Sequence, residues 1–218
     1  MTSNDVREKV DAALKEEQQS HRLRDRVAKV VPASARDEKL GFVMAYLLMT
    51  PILLDSVYNE ACSQGLLQQF QPIFDAVLGY WELELDVIPD RLGLFGLCDD
   101  AYMSLRLMQH LASQVVPGTG KPLLSLDLSV ANSNMRAFIR EPAASQLDLI
   151  VTQTCNALSF QNAVAIFMNN PAFLNAVGGG TWTGGDSADV RRQMQEQMKR
   201  NIVKDAVRHD LAKDGIFF

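Results

Sequence analysis

The chain holds 218 residues, of which 47% are hydrophobic and 22% charged, and its formal net charge is −5. It is long enough to bury a substantial core as one large domain or two small ones, and too apolar for disorder to dominate. The negative balance argues against general nucleic-acid binding, which needs a positive surface facing the phosphates. Charge is also unevenly placed. Residues 1–39 carry nine Lys/Arg and eight Asp/Glu, residues 187–218 seven and five, and residues 40–186 only five and thirteen. That is the pattern of an apolar, acidic body flanked by two solvated, charge-rich helices.

Residues 4–30 read as one helix, with Asn4 as N-cap, Val6, Val10 and Leu14 on its apolar face, and Pro32 beyond its end. No large apolar residue lies between Lys15 and Arg22, so its middle is expected to be solvated and loosely packed. Ser34 is placed to cap a second helix over 35–50, and Pro51 to open a third that reaches Ser63 and stops at Gly65. Residues 40–54 form a charge-free run of 15 residues. At 1.5 Å per residue they span only about 22 Å, short of the roughly 30 Å of a bilayer core. Pro51 and Asp55 interrupt the run. A buried central helix is the reading, with non-spanning membrane contact as its rival.

Residues 66–82 continue in helical spacing through Leu67, Phe70, Phe74, Val77 and Trp81, bent or restarted at Pro72. A carboxylate-rich turn follows, then a helix from about 99 to 115. Residues 117–122, Pro-Gly-Thr-Gly-Lys-Pro, make a break and not a phosphate loop. Val115 stands where the first glycine is needed, and Pro122 where a magnesium-holding Ser or Thr is needed. Residues 123–129 alternate weakly and lead as a loop into a helix over 128–140, ended by Pro142. A long helix over 146–169 is expected to bury Leu147, Ile150, Val151 and Leu158.

The glycine-rich stretch 178–186 reads as a linker or lid carrying Trp182. Ser187 caps a final amphipathic helix, whose stripe includes Val190, Met194, Met198 and Ile202. Methionines suit such a stripe to adaptable contact. It packs on the protein's own core, or meets a partner helix, including one from a second copy. The organisation expected is a charged helix at 1–33, an apolar helical body at 34–177, the loop at 178–186 and the amphipathic helix at 187–218. The fold expected is all-α, a single bundle of about eight helices.

Cys62, Cys98 and Cys155 are odd in number and set in apolar surroundings. They read as small buried hydrophobes in a reducing compartment. With no apolar leader at the N-terminus, the cytoplasm is the expected location, with membrane association as the variant.

The most informative stretch is 85–111. Asp86, Asp90, Asp99 and Asp100 surround a turn built from Pro89, Gly93 and Gly96, in otherwise apolar sequence. Asp99 or Asp100 is placed to cap the following helix, while Asp86 and Asp90 hold turn amides with Arg91 as countercharge. The sharper alternative is a divalent metal. Clustered carboxylates repel unless a cation neutralises them, and oxygen ligands suit magnesium, calcium or manganese. The spacing is not that of a calcium loop, and no histidine lies within the turn.

Asp86-Val87-Ile88-Pro89-Asp90, then Gly93 to Gly96, then Leu97-Cys98-Asp99-Asp100-Ala101, resembles the core motif of the YkvA-like family, a bacterial domain of unknown function. The resemblance rests on Asp86, Pro89, Asp90, Gly96, Asp99 and Asp100 and covers about residues 66–115. It implies a helical hairpin and no particular reaction, with some members near membranes. The segment from Trp81 to Leu85 departs from the family's usual approach to the motif, as do Arg91 and Cys98.

No nucleophilic constellation is present, so no residue is assigned a catalytic role. There is no Gly-x-Ser-x-Gly or His-Glu-x-x-His, and the chain has only three histidines. The expectation is a non-enzymatic cytosolic interaction or regulatory protein, of adaptor, inhibitor or immunity type. It would meet a protein partner through Trp182, Met194, Met198 and Ile202, with no cofactor. The alternatives are a metal-dependent enzyme or metal sensor using Asp86, Asp90, Asp99 and Asp100, and a peripheral membrane protein.

Overall fold

The first helix, α1 (Ser3–Ser20), starts one residue earlier than its sequence suggests because Thr2, not Asn4, caps it. The Thr2 hydroxyl accepts the Asp5 N–H at 3.3 Å and the Asp5 carboxylate accepts the Thr2 N–H at 2.6 Å, a reciprocal capping box. Asn4 instead donates to Glu8 at 2.9 Å. Val6, Val10 and Leu14 are buried, as their spacing requires. The helix does not run on to residue 30. It stops at His21, in the left-handed region at φ 51°, and α2 (Arg22–Val30) begins immediately. The physical reason is Glu17. Its carboxylate accepts the free N–H groups of Leu23 (3.0 Å) and Arg24 (3.1 Å) at the start of α2. The stretch expected to be solvated therefore buries a glutamate, only 7% exposed, as a capping group.

These coordinates come from a computed structural model that describes residues 1–63, 65, 67–83, 87–113, 124, 127–157, 171, 174 and 175. The expected loop at 178–186, the helix at 187–218, the break at 117–122 and the second half of the helix over 146–169 lie outside the described residues, as do Asp86, Trp182, Met194, Met198 and Ile202. Among the described residues there are seven α-helices, two 3-10 helices and no strand: the protein is all-α.

After a 3-10 turn at Ala33–Ala35, α3 (Arg36–Ser63) is one uninterrupted helix of 28 residues. Two helices meeting at Pro51 were expected. Proline removes one backbone donor and costs about 3 kcal/mol inside a helix, but the residues on both sides of it, including Tyr46, Leu47, Ile52, Leu53 and Leu54, are buried. Packing on both halves outweighs the local penalty. The Thr50 hydroxyl donates to the Tyr46 carbonyl at 3.0 Å, just before the proline. Being apolar on every side over residues 40–54, α3 serves as a central helix. The segment Ala33–Ser63 is long and apolar enough to cross a membrane, yet 67% of its apolar 18-residue window is buried inside the protein.

Gly65, at φ 68°, lies just past the end of α3, as expected of a stop signal. Next, α4 (Leu67–Trp81) contains Pro72 without ending there. A 3-10 segment, Asp90–Phe95, leads into α5 (Leu97–Ala112), which is buried nearly all round. Two shorter helices, α6 (Ser129–Ile139) and α7 (Ala143–Ala157), close the described region. The core centres on α3 and α5, which pack together. Helices α1 and α2 cover α3 and the 3-10 segment, α4 fits between α3 and α5, and α6 and α7 cover α5.

Cys98 is buried and Cys155 half-buried, but Cys62 is exposed, contrary to its apolar sequence context. It falls in the last turn of α3, where the helix leaves the core.

Candidate functional site

The carboxylate turn joins α4 to α5, and glycine is what lets it close. A Cβ on Gly96 would meet the Pro89 carbonyl oxygen at 2.7 Å and Asp90 Cα at 2.8 Å. Gly93 stands at φ 64°, ψ −138°, a conformation other residues resist. The chain therefore folds back so tightly that 89–90 rests against the first turn of α5. That contact places Asp99.

Helix α5 begins at Leu97, two residues before the expected start, with Gly96 as an N-cap that has no side chain to donate or accept. Asp99 and Asp100 thus lie inside the first turn and are not its caps, correcting the expectation. Asp99 reaches out of its own helix instead. Its carboxylate accepts the Ile88 N–H at 2.8 Å and the Tyr80 hydroxyl at 3.3 Å, clamping the turn to the end of α4. Both Asp99 and Asp100 are fully buried. Close by, the Trp81 indole N–H donates to the Ser104 hydroxyl at 2.8 Å, and that hydroxyl donates to the Asp100 carbonyl at 2.8 Å.

Asp90 turns elsewhere. It pairs with Lys9 of α1 at 2.7 Å, and the same ammonium donates to the Trp81 carbonyl at 2.8 Å and lies 5.9 Å from the Trp81 ring centroid. Arg22 of α2 donates to the Arg91 carbonyl at 2.9 Å and to Glu16 at 2.9 Å. The countercharge to Asp90 is thus Lys9, some 80 residues away, and not the neighbouring Arg91. Of the four candidate ligands, Asp86 lies outside the described residues, Asp90 faces α1, Asp99 faces the backbone at Ile88, and Asp100 is buried in the first turn of α5. Among the described residues no group of three or more His, Cys, Asp or Glu side chains is arranged to hold a metal ion.

Two of the three thiols are held protonated. Burial pushes the Cys98 pKa well up, reinforced by the charges of Asp99 and Asp100, and its Sγ donates weakly to the Leu94 carbonyl at 3.4 Å. Burial also raises Cys155, to about 11. A thiol held protonated is a poor attacking group.

A second polar constellation, which the sequence reading missed, crosses α3, α5, α6 and α7. The Tyr46 hydroxyl donates to Asn132 Oδ1 at 2.5 Å, and Asn132 Nδ2 donates to the Leu105 carbonyl (3.2 Å) and Gln109 (2.7 Å). Arg106 donates to Gln109 at 2.8 Å and stands 3.6 Å from Asp148. Asp148 accepts the Tyr102 hydroxyl at 2.8 Å and Arg136 Nε at 2.7 Å. Burial pushes the Asp148 carboxyl up, but the hydrogen bonds from Arg136 and Tyr102 and the charges of Arg106 and Arg136 outweigh it, and its pKa falls below the ordinary value. A signal existed: residues 40–186 contain only five basic side chains, and two of them, Arg106 and Arg136, converge here. Both constellations do the same chemical work, tying separate helices together through specific polar bonds so that they favour one arrangement.

In comparisons with known proteins, no family model, no characterised protein and no solved structure matches the chain.

Proposed function

We propose that this is a non-enzymatic cytosolic interaction protein, of adaptor, inhibitor or immunity type, that binds a protein partner through helical surfaces. One observation carries the reading. The exposed residues of α6 and α7 are Ser129, Val130, Ser133, Asn134 and Ala137, then Ser145, Gln146, Leu149, Thr152, Gln153, Asn156 and Ala157, and none of the twelve is charged. In α1 and α2, by contrast, seven of the eleven exposed residues are charged. Depletion of charge marks the centre of protein interfaces. Two large apolar side chains stand out of this neutral face, Val130 at 70% and Leu149 at 58% exposed.

The polar chemistry at the turn supports the same reading, because Asp90 and Asp99 are engaged in holding the backbone and α1. A net charge of −5 favours a basic partner. The likeness of the turn to the YkvA-like motif belongs to this proposal as a scaffold that presents helical faces. The C-terminal stripe of Met194, Met198 and Ile202, with Trp182, would extend the contact surface.

The test is comparative capture from native cells with full-length wild type and a Leu149→Arg variant of unchanged circular dichroism. A stoichiometric partner retained by wild type and lost by the variant supports the reading. A partner held equally by both, or none at all, sends the assignment elsewhere.

A further inference from the structure

The N-terminal end of α1, the C-terminal half of α3 and the face of α4 enclose a cleft of about 420 Å³, within the range of small-molecule sites. Its depth is apolar: Leu54 and Phe74 are buried, Leu78 is half-buried, and the Tyr58 ring meets Phe74 edge-on with centroids 5.3 Å apart at 70°. Part of the α4 wall is bare backbone. A Cβ placed on Gly79 would meet nothing within 4 Å, so the glycine leaves room at the cleft.

The rim carries two carboxylates, Asp75 and Glu82, and one ammonium, that of Met1. Glu82 holds that ammonium at 2.8 Å, and the bond raises the pKa of the amine. Asp75 accepts the Gln71 amide at 2.7 Å and has no cationic partner among the described residues. The cleft therefore combines an aromatic wall, room at Gly79 and a carboxylate lacking a countercharge. Aromatic rings attract cations through their faces, and a carboxylate makes strong charge-assisted bonds to an ammonium. With Glu82 and the Met1 amine neutralising each other, Asp75 leaves the rim one net negative charge, which disfavours anions.

We propose that this cleft binds a small organic cation, a primary ammonium carried on a one-ring apolar body, with Asp75 as counter-ion and Tyr58 and Phe74 as the aromatic wall. The site lies on α1, α3 and α4, apart from the neutral face of α6 and α7, so it stands or falls independently of the partner-binding reading.

Titration of the full chain with 2-phenylethylammonium chloride, followed by NMR, tests this against two matched probes, neutral 2-phenylethanol and anionic phenylacetate. The ammonium should bind at least about tenfold more tightly than the alcohol, and the carboxylate not at all. Asp75→Asn, an exposed and conservative change, should weaken ammonium binding by about fivefold or more and leave the alcohol unaffected. Gly79→Leu should fill the cleft and abolish binding of both, with helicity checked by circular dichroism. Equal affinity for ammonium and alcohol, binding that survives Gly79→Leu, indifference to Asp75→Asn, or no binding by the ammonium would each overturn the proposal.

Discussion

The helix pair at the N-terminal end, α1 and α2, and the later pair, α6 and α7, both cover a central helix, but they dispose of their charge in opposite ways. The first pair wears charge outside and puts some of it to structural use: Lys9 and the exposed Arg22 tie down the turn, and the buried Glu17 caps α2. The later pair ties its charges, Arg136 and Asp148, into a half-buried network with Tyr102 and Arg106, and the residues classed as exposed on its helices are neutral. A charged exterior is solvated and resists association. A neutral exterior with Val130 and Leu149 standing out of it is a surface suited to a partner. Where the charge is used decides which face remains for contact.

The largest expected effect tests whether the turn truly anchors the first pair. Gly96→Ala drives a Cβ into backbone atoms of Pro89 and Asp90, which cannot rotate away as a side chain would. Overpacking of this kind costs about 3 kcal/mol, read as a lower midpoint in urea. An unchanged midpoint would show that the turn yields without affecting α1.

Next comes Asp148→Ala, which strips Tyr102 and Arg136 of their shared acceptor. Losing hydrogen bonds to a charged, half-buried group costs about 2 kcal/mol. Because Asp148 has a folded pKa below the ordinary 3.8 of an aspartate, its contribution is present above that value and lost as pH falls through the lower, folded pKa. The gap between wild type and variant should therefore close in acid.

The smallest effect, Glu17→Ala, removes the cap of α2 at a cost of about 1 kcal/mol. Here the pH dependence reverses. Burial raises the Glu17 pKa above the ordinary 4.5 of a glutamate, over the opposing hydrogen bonds from Leu23 and Arg24. The stability it contributes is fully present below that value and lost as pH rises through the folded pKa. Urea melts at several pH values should show the Glu17 gap shrinking towards neutrality while the Asp148 gap widens. Gaps that move together would break the contrast between the two pairs.

Much of the fold was legible in the sequence because helical periodicity and turn residues are local signals. The face of Val6, Val10 and Leu14 and the stop at Gly65 follow from spacing and residue type alone. The site was half legible. Four aspartates around glycines in apolar sequence marked the place, but not what the carboxylates do. Asp99 bonds an amide eleven residues back, and Asp90 pairs with a lysine on a different helix. Neither partner is visible within a local window, and the convergence of Tyr46, Asn132, Arg106 and Asp148 is spread over about a hundred residues.

By itself the sequence determined that the protein is all-α, roughly where α4 and α6 begin and end, and which face α1 buries, since these depend on patterns within a few turns. Only tertiary structure decided that Pro51 would be carried through α3, that Glu17 would be buried as a cap, and that the aspartates would serve as clamps. Each of these sets a local penalty (a missing hydrogen bond, a desolvated carboxylate) against packing or pairing supplied by distant chain. The balance exists only once that chain has arrived.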